Sequence, residues 1–409
     1  MHIVIVNPFD ALPWENNRLF RYSMLAAELA RRGHHVSWIT ADFYHGAKQY
    51  RKHPGADESL GARIVFVHVP PYYKNISLRR IISHRAYAHG ALQALKSLHA
   101  SEPVHLVVAS IPPTESARVA MEFCAEIGVV GLVDMQDPWP KLLASVFPRS
   151  LRNLFSILLL GSFKHDVKIA ADLASGLVAI SPENLDYLAE FRKGKNQVAQ
   201  ASFILGFDSQ AIQISEIGQK KTDSHLVVSY IGNFGHFNDL ETAVKAAAIC
   251  AKRNIQFILI GDGPTYSSVK RLAEKLSLTN VKFTGRMPFE SALPMLQQSD
   301  LGLVLYTADF PPNTVNKTFD YLCLGLPVVS SLRGMFAKDL AEFKLGLQYE
   351  AGNADSLANA LLHLDENRAM LQEMGRRGLE YAKTSMDASA IYKQYADFVE
   401  KLAAEPICL

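Results

Sequence analysis

Short apolar segments of strand length alternate with longer helical segments along most of this chain. The first forty residues give strand His2–Val6, a loop at 7–17, helix Arg18–Arg32 and strand Val36–Thr40. This order is a βαβ unit, whose two strands lie parallel in one sheet. The pattern continues in further apolar runs at 64–69, 106–109, 129–134 and 177–180. Continuous apolar strands separated by helices predict a parallel sheet that helices cover on both faces.

A second alternation begins at residue 226, after a stretch rich in Gly, Ser, Gln and Lys at 205–225. Its predicted strands are 226–231, 256–260, 281–284, 301–306 and 327–331, and its predicted helices are 239–252, 267–276, 289–298 and 316–324. The fold class is therefore α/β, with two facing Rossmann-like doubly wound lobes at 1–204 and 205–385. We expect a C-terminal helix, within 386–409, to pack back on the first lobe. In such sheets ligands bind beyond the carboxyl ends of the strands.

Composition excludes several classes of protein. The chain has 42 Lys and Arg against 40 Asp and Glu, a net charge of +2, so a nucleic acid partner is not expected. The four cysteines are far apart and form no C-x-x-C pair, which argues against a disulfide scaffold or a zinc site. With neither a secretory signal nor ~20 consecutive apolar residues, we expect a cytoplasmic protein without a membrane span.

Three glycine- or proline-containing loops follow predicted strands and lead into helices. They are Gly232–Gly235, Gly261–Pro264 and Pro311–Lys317. Free backbone amides and the helix dipole attract phosphate at such positions, although one loop alone more often makes a tight turn. Three converging loops favour a phosphate site that includes Gly232, Asn233, Gly235, Asp262 and Gly263. Asn238 and Glu241 are predicted to form a capping box at the helix after the first loop.

Lys317 and Asp320 lie three residues apart and so share one face of the predicted helix that begins at Asn316. A lysine near the helix start suits a diphosphate, and a carboxylate one turn later can accept hydrogen bonds from two ribose hydroxyls. The alternative is an exposed ion pair, which would contribute little to stability. The residues themselves leave both interpretations open.

The sequence resembles the retaining glycosyltransferases of the GT-B fold, of the glycosyltransferase family 4 type. In the second lobe the resemblance is carried by the segments 230–235, 260–264, 280–286, 316–322 with Gly325 and Pro327, 345–347 and 355–357. In the first lobe it is carried by 18–36. The segments 134–140 and 42–45, with Tyr73, Asn75 and Arg80, resemble the branch that builds bacterial surface polysaccharides such as O-antigen.

The resemblance implies a nucleotide-diphosphate sugar, UDP-linked, as donor, and a glycan acceptor that is itself lipid-linked. It places Asp320 on the ribose, Lys317 and the Gly232–Gly235 loop near the diphosphate, and Arg286 near the base. Retention at the anomeric carbon and the absence of a bound metal or cofactor also follow from it, and no Asp-x-Asp ends a strand. The chain departs from the family pattern at Pro312, where a carboxylate is usual, and at Asn233, where an arginine is usual.

In the first lobe the resemblance marks Asp137 as the catalytic candidate and Asn17, His45, Tyr73, Asn75 and Arg80 as acceptor-binding candidates. Asp137 precedes a proline, so an ordinary turn aspartate is the alternative. His45 is alternatively a solvated loop histidine.

Basic and bulky apolar residues mix at 141–164 and at Arg79, Arg80, His84 and Arg85. Such stretches suit either peripheral contact with an anionic membrane, on its inner face, or a core helix with solvated ends. For the whole chain, a sugar-nucleotide epimerase and a catalytically silent binding protein remain alternatives to the transferase.

Overall fold

The computed structural model describes residues 1–15, 20–52, 60–75, 77–144, 160–193, 198–206, 225–310 and 315–404. The chain divides into two compact units, Met1–Ala211 with Ala388–Leu409 and Ile212–Asp387. Each unit is built on a parallel sheet with helices between successive strands. The predicted α/β class, with two Rossmann-like doubly wound lobes, is confirmed.

The first unit contains a seven-stranded sheet in the order β5-β2-β1-β6-β7-β8-β9, and β3 and β4 form a small antiparallel hairpin. Its described strands are β1 His2–Val6, β2 His35–Ala41, β3 Phe43–Tyr44, β4 Gln49–Tyr50, β5 Ala62–Val67, β6 Leu106–Ile111, β7 Val130–Met135, β8 Gly176–Ala179 and β9 Ala199–Ser202. Its described helices are α1 Arg21–Arg31, α2 Leu78–Ser101, α3 Thr114–Ile127, α4 Lys141–Ala144, α5 Gly161–Leu173, α6 Pro182–Ala189 and, at the C-terminus, α14 Ala388–Ala404.

The second unit contains a six-stranded sheet in the order β12-β11-β10-β13-β14-β15. Its described strands are β10 Leu226–Ile231, β11 Ile255–Ile260, β12 Val281–Gly285, β13 Leu301–Val304, β14 Val328–Ser330 and β15 Gly346–Gln348. Its described helices are α7 Leu240–Ile249, α8 Tyr266–Lys275, α9 Phe289–Gln297, α10 Asn316–Cys323, α11 Met335–Glu342, α12 Ala354–Glu366 and α13 Arg368–Ser385. The strand order reverses direction between β10 and β13, and ligands bind in such sheets at this switch point.

Strand β1 shows why the first sheet must be covered on both faces. All five of its residues are buried, and Val4 pairs with Ser37 on one side and Val107 on the other. Val4 and Val6 belong to the core under α2 and α3, whereas Ile3 and Ile5 belong to the core under α1 and α14. The period-two alternation of a strand distributes these side chains between two hydrophobic layers.

A buried ion pair joins α1 to β7. The Arg21 guanidinium donates to both carboxylate oxygens of Asp134, at 2.7 and 3.0 Å. The hydroxyls of Tyr22 and Tyr395 donate to the same carboxylate, at 3.0 and 2.9 Å. Because Tyr395 belongs to α14, this network attaches the C-terminal helix to the sheet of the first unit. Asp134 is thus fully engaged in structural contacts.

Several predicted element boundaries are wrong by a few residues. The first described helix runs over Arg21–Arg31 rather than 18–32, and β5 runs over Ala62–Val67 rather than 64–69. The predicted helix 239–252 is an α-helix only to Ile249, followed by a 3₁₀ turn at Cys250–Lys252. Over the described residues, none of the helices is both long and apolar enough to cross a membrane.

The predicted capping box is also wrong. Asp239 occupies the N-cap position of α7 and makes no side-chain cap hydrogen bond. Asn238 instead turns toward the preceding loop, where its Oδ1 accepts from the Gly235 amide at 3.3 Å and its Nδ2 donates to the Leu305 carbonyl at 3.5 Å. Asn238 therefore fixes the loop rather than the helix.

Candidate functional site

The loop after β10 lies at the switch point of the second sheet. Gly232 has a φ of 146°, and its amide donates to the Ile260 carbonyl at 3.0 Å. The Tyr230 hydroxyl donates to the Asn233 carbonyl at 2.7 Å, which ties the loop back to its own strand. Asn233 is exposed and Gly235 half-buried. One backbone and one side-chain hydrogen bond thus tie the loop to β11 and to its own strand.

The loop after β11 packs directly on the loop after β10. A Cβ at Gly261 would lie 1.8 Å from the Gly232 carbonyl oxygen, and a Cβ at Gly263 would lie 2.5 Å from Asn233 Oδ1. The Phe234 amide donates to the Asp262 carbonyl at 2.9 Å. Gly261 and Gly263 therefore permit the close approach of two loops, while the Asp262 carboxylate accepts from the adjacent Gly263 amide at 2.7 Å. The second loop also contacts the end of β12, where the Gly261 amide donates to the Gly285 carbonyl at 3.0 Å.

Lys317 lies in the first turn of α10 and is buried, with only 8% of the residue exposed. Its Nζ lies 4.2 Å from the centroid of the Tyr230 ring and 5.0 Å from that of the Tyr306 ring. A Cβ built on Gly232 would come within 3.0 Å of the same Nζ, so the absent side chain leaves the ammonium room beside the loop. Burial lowers the pKa of Lys317 to about 7, and the nearby Asp320 carboxylate opposes this.

Asp320 follows one turn later and is only 6% exposed. Lys317 and Asp320 are consequently not the exposed surface pair that the spacing left open. Asn316, at the start of α10, and Arg286, directly after Gly285 at a φ of 74°, are both exposed. Pro311–Thr314, which includes Pro312, lies outside the described residues. The structure therefore brings Gly232 and Lys317 together and places Asp320 on the same helix.

In the first unit, Arg80 on α2 lies among aromatic rings. Its Cζ is 5.0 Å from the Trp139 ring centroid, and its Nη1 donates to the Asn75 carbonyl at 2.8 Å. Burial lowers the pKa of Arg80, while Asp137 exerts an opposing electrostatic effect. Burial raises the pKa of Asp137, and Arg80 opposes that shift. The catalytic candidate and one acceptor candidate are thus electrostatic partners.

The other acceptor candidates differ in their surroundings. His45 Nδ1 lies 2.6 Å from the Tyr72 hydroxyl and 2.9 Å from Lys48 Nζ, so it is not a merely solvated histidine. Burial, Arg80 and Lys48 lower the pKa of His45 to about 3. Tyr73, at 68% exposed, and Asn75 face solvent. Asn17 lies outside the described residues.

The sequence interpretation missed the partners of Arg80 and His45. Lys48 comes from the β3–β4 hairpin, and Tyr72 comes from the loop after β5. Their signal was present only as a basic residue and an aromatic residue that each follow a predicted strand. His84, for which both a membrane surface and a core helix remained open, is buried against Phe9 and Trp139, with ring centroids 5.4 and 5.7 Å away.

A group with the side chains of a metal site occurs at the opposite edge of the first sheet. Within the described ranges, His2, His35 and Glu102 each offer one ligand atom, and these atoms lie within 4.8 Å of one another. His35 Nδ1 is 2.5 Å from the Glu102 carboxylate. Since His2 and His35 begin β1 and β2, the group lies at the amino ends of the strands, away from the carboxyl edge that carries the other candidates.

The second unit matches a known protein family. Residues 212–381 match the sequence profile of the family described as glycosyl transferases group 1. This range contains Gly232, Lys317 and Asp320. The second unit is thus similar to the family described as glycosyl transferases group 1.

Among curated proteins, N-acetyl-alpha-D-glucosaminyl L-malate synthase of Bacillus anthracis is 22% identical over 176 residues, which are 42% of this chain and 45% of the relative. The chain spans about half the length of the curated relatives it matches, 45% and 59%.

Solved structures resemble the whole chain. Sucrose-phosphate synthase from Thermosynechococcus elongatus has a TM-score of 0.75 at 17% identity, over 98% of this chain and 99% of that one. Anabaena Alr3699/HepE in complex with UDP and glucose has a TM-score of 0.66 at 16% identity, over 98% of this chain and 100% of that one. At these identities the likeness is one of fold.

The burial of Lys317 predicts that this side chain lowers the free energy of unfolding of the second unit. We expect Lys317→Met to stabilise the second unit at neutral pH, because burial disfavours the charged ammonium by more than Asp320 favours it. The wild-type pKa is lowered from 10.5 to about 7, so the folded state disfavours the charged form. The free energy of unfolding of the wild type should therefore rise, relative to that of the variant, as the pH increases from about 7 to 10.5.

Urea denaturation across this pH range measures both effects, with the exposed Lys275→Met as a matched control. A loss of stability in Lys317→Met, or a parallel pH profile for wild type and variant, would contradict the assigned burial cost.

Proposed function

We propose that the protein is a retaining, metal-independent glycosyltransferase. It moves a sugar from a nucleotide-diphosphate sugar, UDP-linked, to a lipid-linked glycan acceptor in surface polysaccharide synthesis of the O-antigen type. The observation that carries this proposal is the buried Lys317 beside Gly232 at the switch point of the second sheet. The family profile over 212–381 and the UDP complex of HepE support the same donor class.

The chemistry assigned to these residues is stabilisation of a leaving diphosphate. In the transfer, the bond from the anomeric carbon to the diphosphate oxygen breaks, and a bond to the acceptor hydroxyl oxygen forms on the same face. The hydroxyl proton passes to the leaving diphosphate, either directly or by way of Asp137. In the Gly232–Gly235 loop, the amides of Gly232, Phe234 and Gly235 already donate to Ile260, Asp262 and Asn238. We therefore assign to Lys317 the task of offsetting the negative charge that develops on the diphosphate. With Pro312 and Asn233 in place of the usual charged residues, Lys317 and Arg286 are the cations assigned to this task.

Asp320 is assigned to the ribose of the donor. We expect Asp320→Ala to weaken binding of UDP-glucose by about 1.5–3 kcal/mol, because two ribose hydroxyls lose a charged acceptor. Isothermal titration calorimetry measures the change, and Glu274→Ala, an exposed carboxylate on α8, is the control. Unchanged affinity in a folded Asp320→Ala protein would remove Asp320 from the donor site.

Asp137 is assigned to the acceptor side of the reaction, where it accepts the hydroxyl proton or orients the acceptor. Asp137→Asn keeps the shape of the side chain and removes its charge. We expect a fall in the transfer rate of about 10²-fold or more with nearly unchanged donor affinity, because Asp137 belongs to the first unit and the donor residues to the second. A rate within a few-fold of wild type would refute the role, and an equal loss of donor affinity would move Asp137 to the donor pocket.

Peripheral contact with the inner face of an anionic membrane is proposed for the start of α2. Leu78 and Ile82 are 78% and 53% exposed, and the neighbouring Arg79 and Arg85 are exposed as well. Arg80 and His84 turn inward and are excluded from this surface. Of the second predicted basic stretch, 145–159 lies outside the described residues.

Flotation with anionic vesicles tests the membrane proposal. We expect association at low salt that high salt reverses, because exposed charges are screened within a Debye length. Leu78→Asp should abolish flotation, whereas Gln93→Asp, at an exposed position further along α2, should not. Failure of the wild-type protein to float at low salt would remove the membrane contact from the proposal.

Product analysis distinguishes the proposed transferase from the two alternatives. A transferase releases a nucleoside diphosphate and a lengthened acceptor, an epimerase returns an isomerised nucleotide sugar, and a silent binding protein returns its ligand unchanged.

A further inference from the structure

A cluster of aromatic rings, cations and histidines forms at the carboxyl edge of the first sheet. We name it the Tyr72 cluster, and its members are Phe9, His45, Lys48, Tyr72, Arg80, His84 and Trp139. These residues come from the loops after β1, β3, β5 and β7 and from the first turns of α2. The site is thus assembled from five separate segments at the edge where parallel sheets bind ligands.

Lys48 is held in this cluster by an unusual backbone conformation. Its φ is 56°, in the left-handed region that residues other than glycine and asparagine rarely adopt, and its amide donates to the Tyr44 carbonyl at 2.9 Å. The side chain lies over Tyr72, with Nζ 4.7 Å from the ring centroid. Burial and Arg80 lower the pKa of Lys48 to about 8. The hairpin thus holds an ammonium group in a partly desolvated position beside a second cation.

The two histidines of the cluster add donors rather than acceptors. Arg80 Nε donates to His84 Nε2 at 3.2 Å, which assigns the proton of the neutral ring to Nδ1. His84 Nδ1 is buried and has no hydrogen-bond partner among the described residues. His45 Nδ1 faces both Lys48 Nζ and the Tyr72 hydroxyl, so its own proton is assigned to Nε2. Each histidine therefore keeps an N–H.

The charges of the cluster do not balance. Lys48 and Arg80 both lie over the Tyr72 ring, with Arg80 Cζ 5.9 Å from its centroid, and each lowers the pKa of His45. Among the carboxylates that the structure describes, Asp137 alone raises the pKa of Arg80, and none of them raises the pKa of Lys48. The two partly buried cations therefore exceed the one nearby carboxylate, and the buried His84 Nδ1 adds a donor with no partner in the described part of the chain.

We propose that the Tyr72 cluster binds a phosphate group of the acceptor, so that the acceptor substrate of this transferase is phosphorylated. That the bound molecule is the acceptor rests on the proposed function. That the cluster binds an anion rests on the geometry alone. A phosphate carries up to two negative charges and only acceptor oxygens at neutral pH, which matches two cations and a surplus of N–H donors. The phosphate belongs to a soluble sugar phosphate or to the diphosphate of a lipid-linked glycan.

The test measures anion binding in a protein whose donor site is disabled. In the Lys317→Met background, glucose 6-phosphate and farnesyl diphosphate are titrated separately, with glucose as the uncharged control. Isothermal titration calorimetry reports binding of each ligand. Lys48→Asn removes the charge and tolerates the left-handed backbone, and Lys52→Asn is the exposed control.

We expect at least one of the two phosphates to bind, with affinity reduced by about tenfold or more in Lys48→Asn and unchanged in Lys52→Asn. The tighter ligand assigns the source, soluble for glucose 6-phosphate and lipid-linked for farnesyl diphosphate. Equal affinity in Lys48→Asn, or no binding of either phosphate, would overturn the inference. UDP-glucose binding to the wild-type protein is measured in parallel. If it fails while phosphate still binds at the Tyr72 cluster, the proposed function fails and the anion site stands.

Discussion

A lysine ammonium buried against two tyrosine rings is the interaction on which the candidate donor site depends. Water would solvate Lys317 far better than the rings of Tyr230 and Tyr306 do, and its pKa falls accordingly. The side chain has this position because Gly232 leaves space beside Nζ and because α10 begins at the switch point of the sheet. A bound anion would offset the part of this burial cost that Asp320 does not already offset.

Both units place their chemistry by the same constraint. Parallel strands carry all their carboxyl ends to one edge, so loops that are distant in sequence meet there. In the second unit these loops bring together glycine backbone and one lysine. In the first unit they bring together aromatic rings, Lys48 and Arg80, while the Arg21–Asp134 pair behind them joins α1 and α14 to the sheet. The first sheet thus carries cations and aromatic rings at its carboxyl edge. The second sheet carries glycine loops there whose backbones approach each other closely.

The local pattern of the sequence was sufficient to predict the fold, since β1 and β10 have the bounds that their apolar runs indicate. It was less informative about contacts between segments. Gly261 and Gly263 suggested a second phosphate loop, yet their absent side chains admit the loop at Gly232. Asn238 had the spacing of a cap but bonds to Gly235, because a side-chain amide takes the nearest unpaired backbone group.

The partners of Arg80 were beyond the reach of sequence patterns for a related reason. Lys48 and Tyr72 belong to different loops, and only the β2–β5 pairing brings those loops together. A residue type that follows a strand indicates a place at the edge but not its neighbours there. Arg80 itself was found through a family resemblance, and its burial among aromatic rings was not.

Proton uptake on donor binding tests the central claim most directly. The phosphates of UDP-glucose do not titrate near neutrality, so any proton taken up belongs to the protein. We predict that the binding heat at about pH 7.5 depends on the ionisation enthalpy of the buffer, because a bound diphosphate raises the lowered pKa of Lys317 and draws a proton onto it. That dependence should disappear in Lys317→Met. Tight binding with equal heats in all buffers, or equal proton uptake by the variant, would contradict the account.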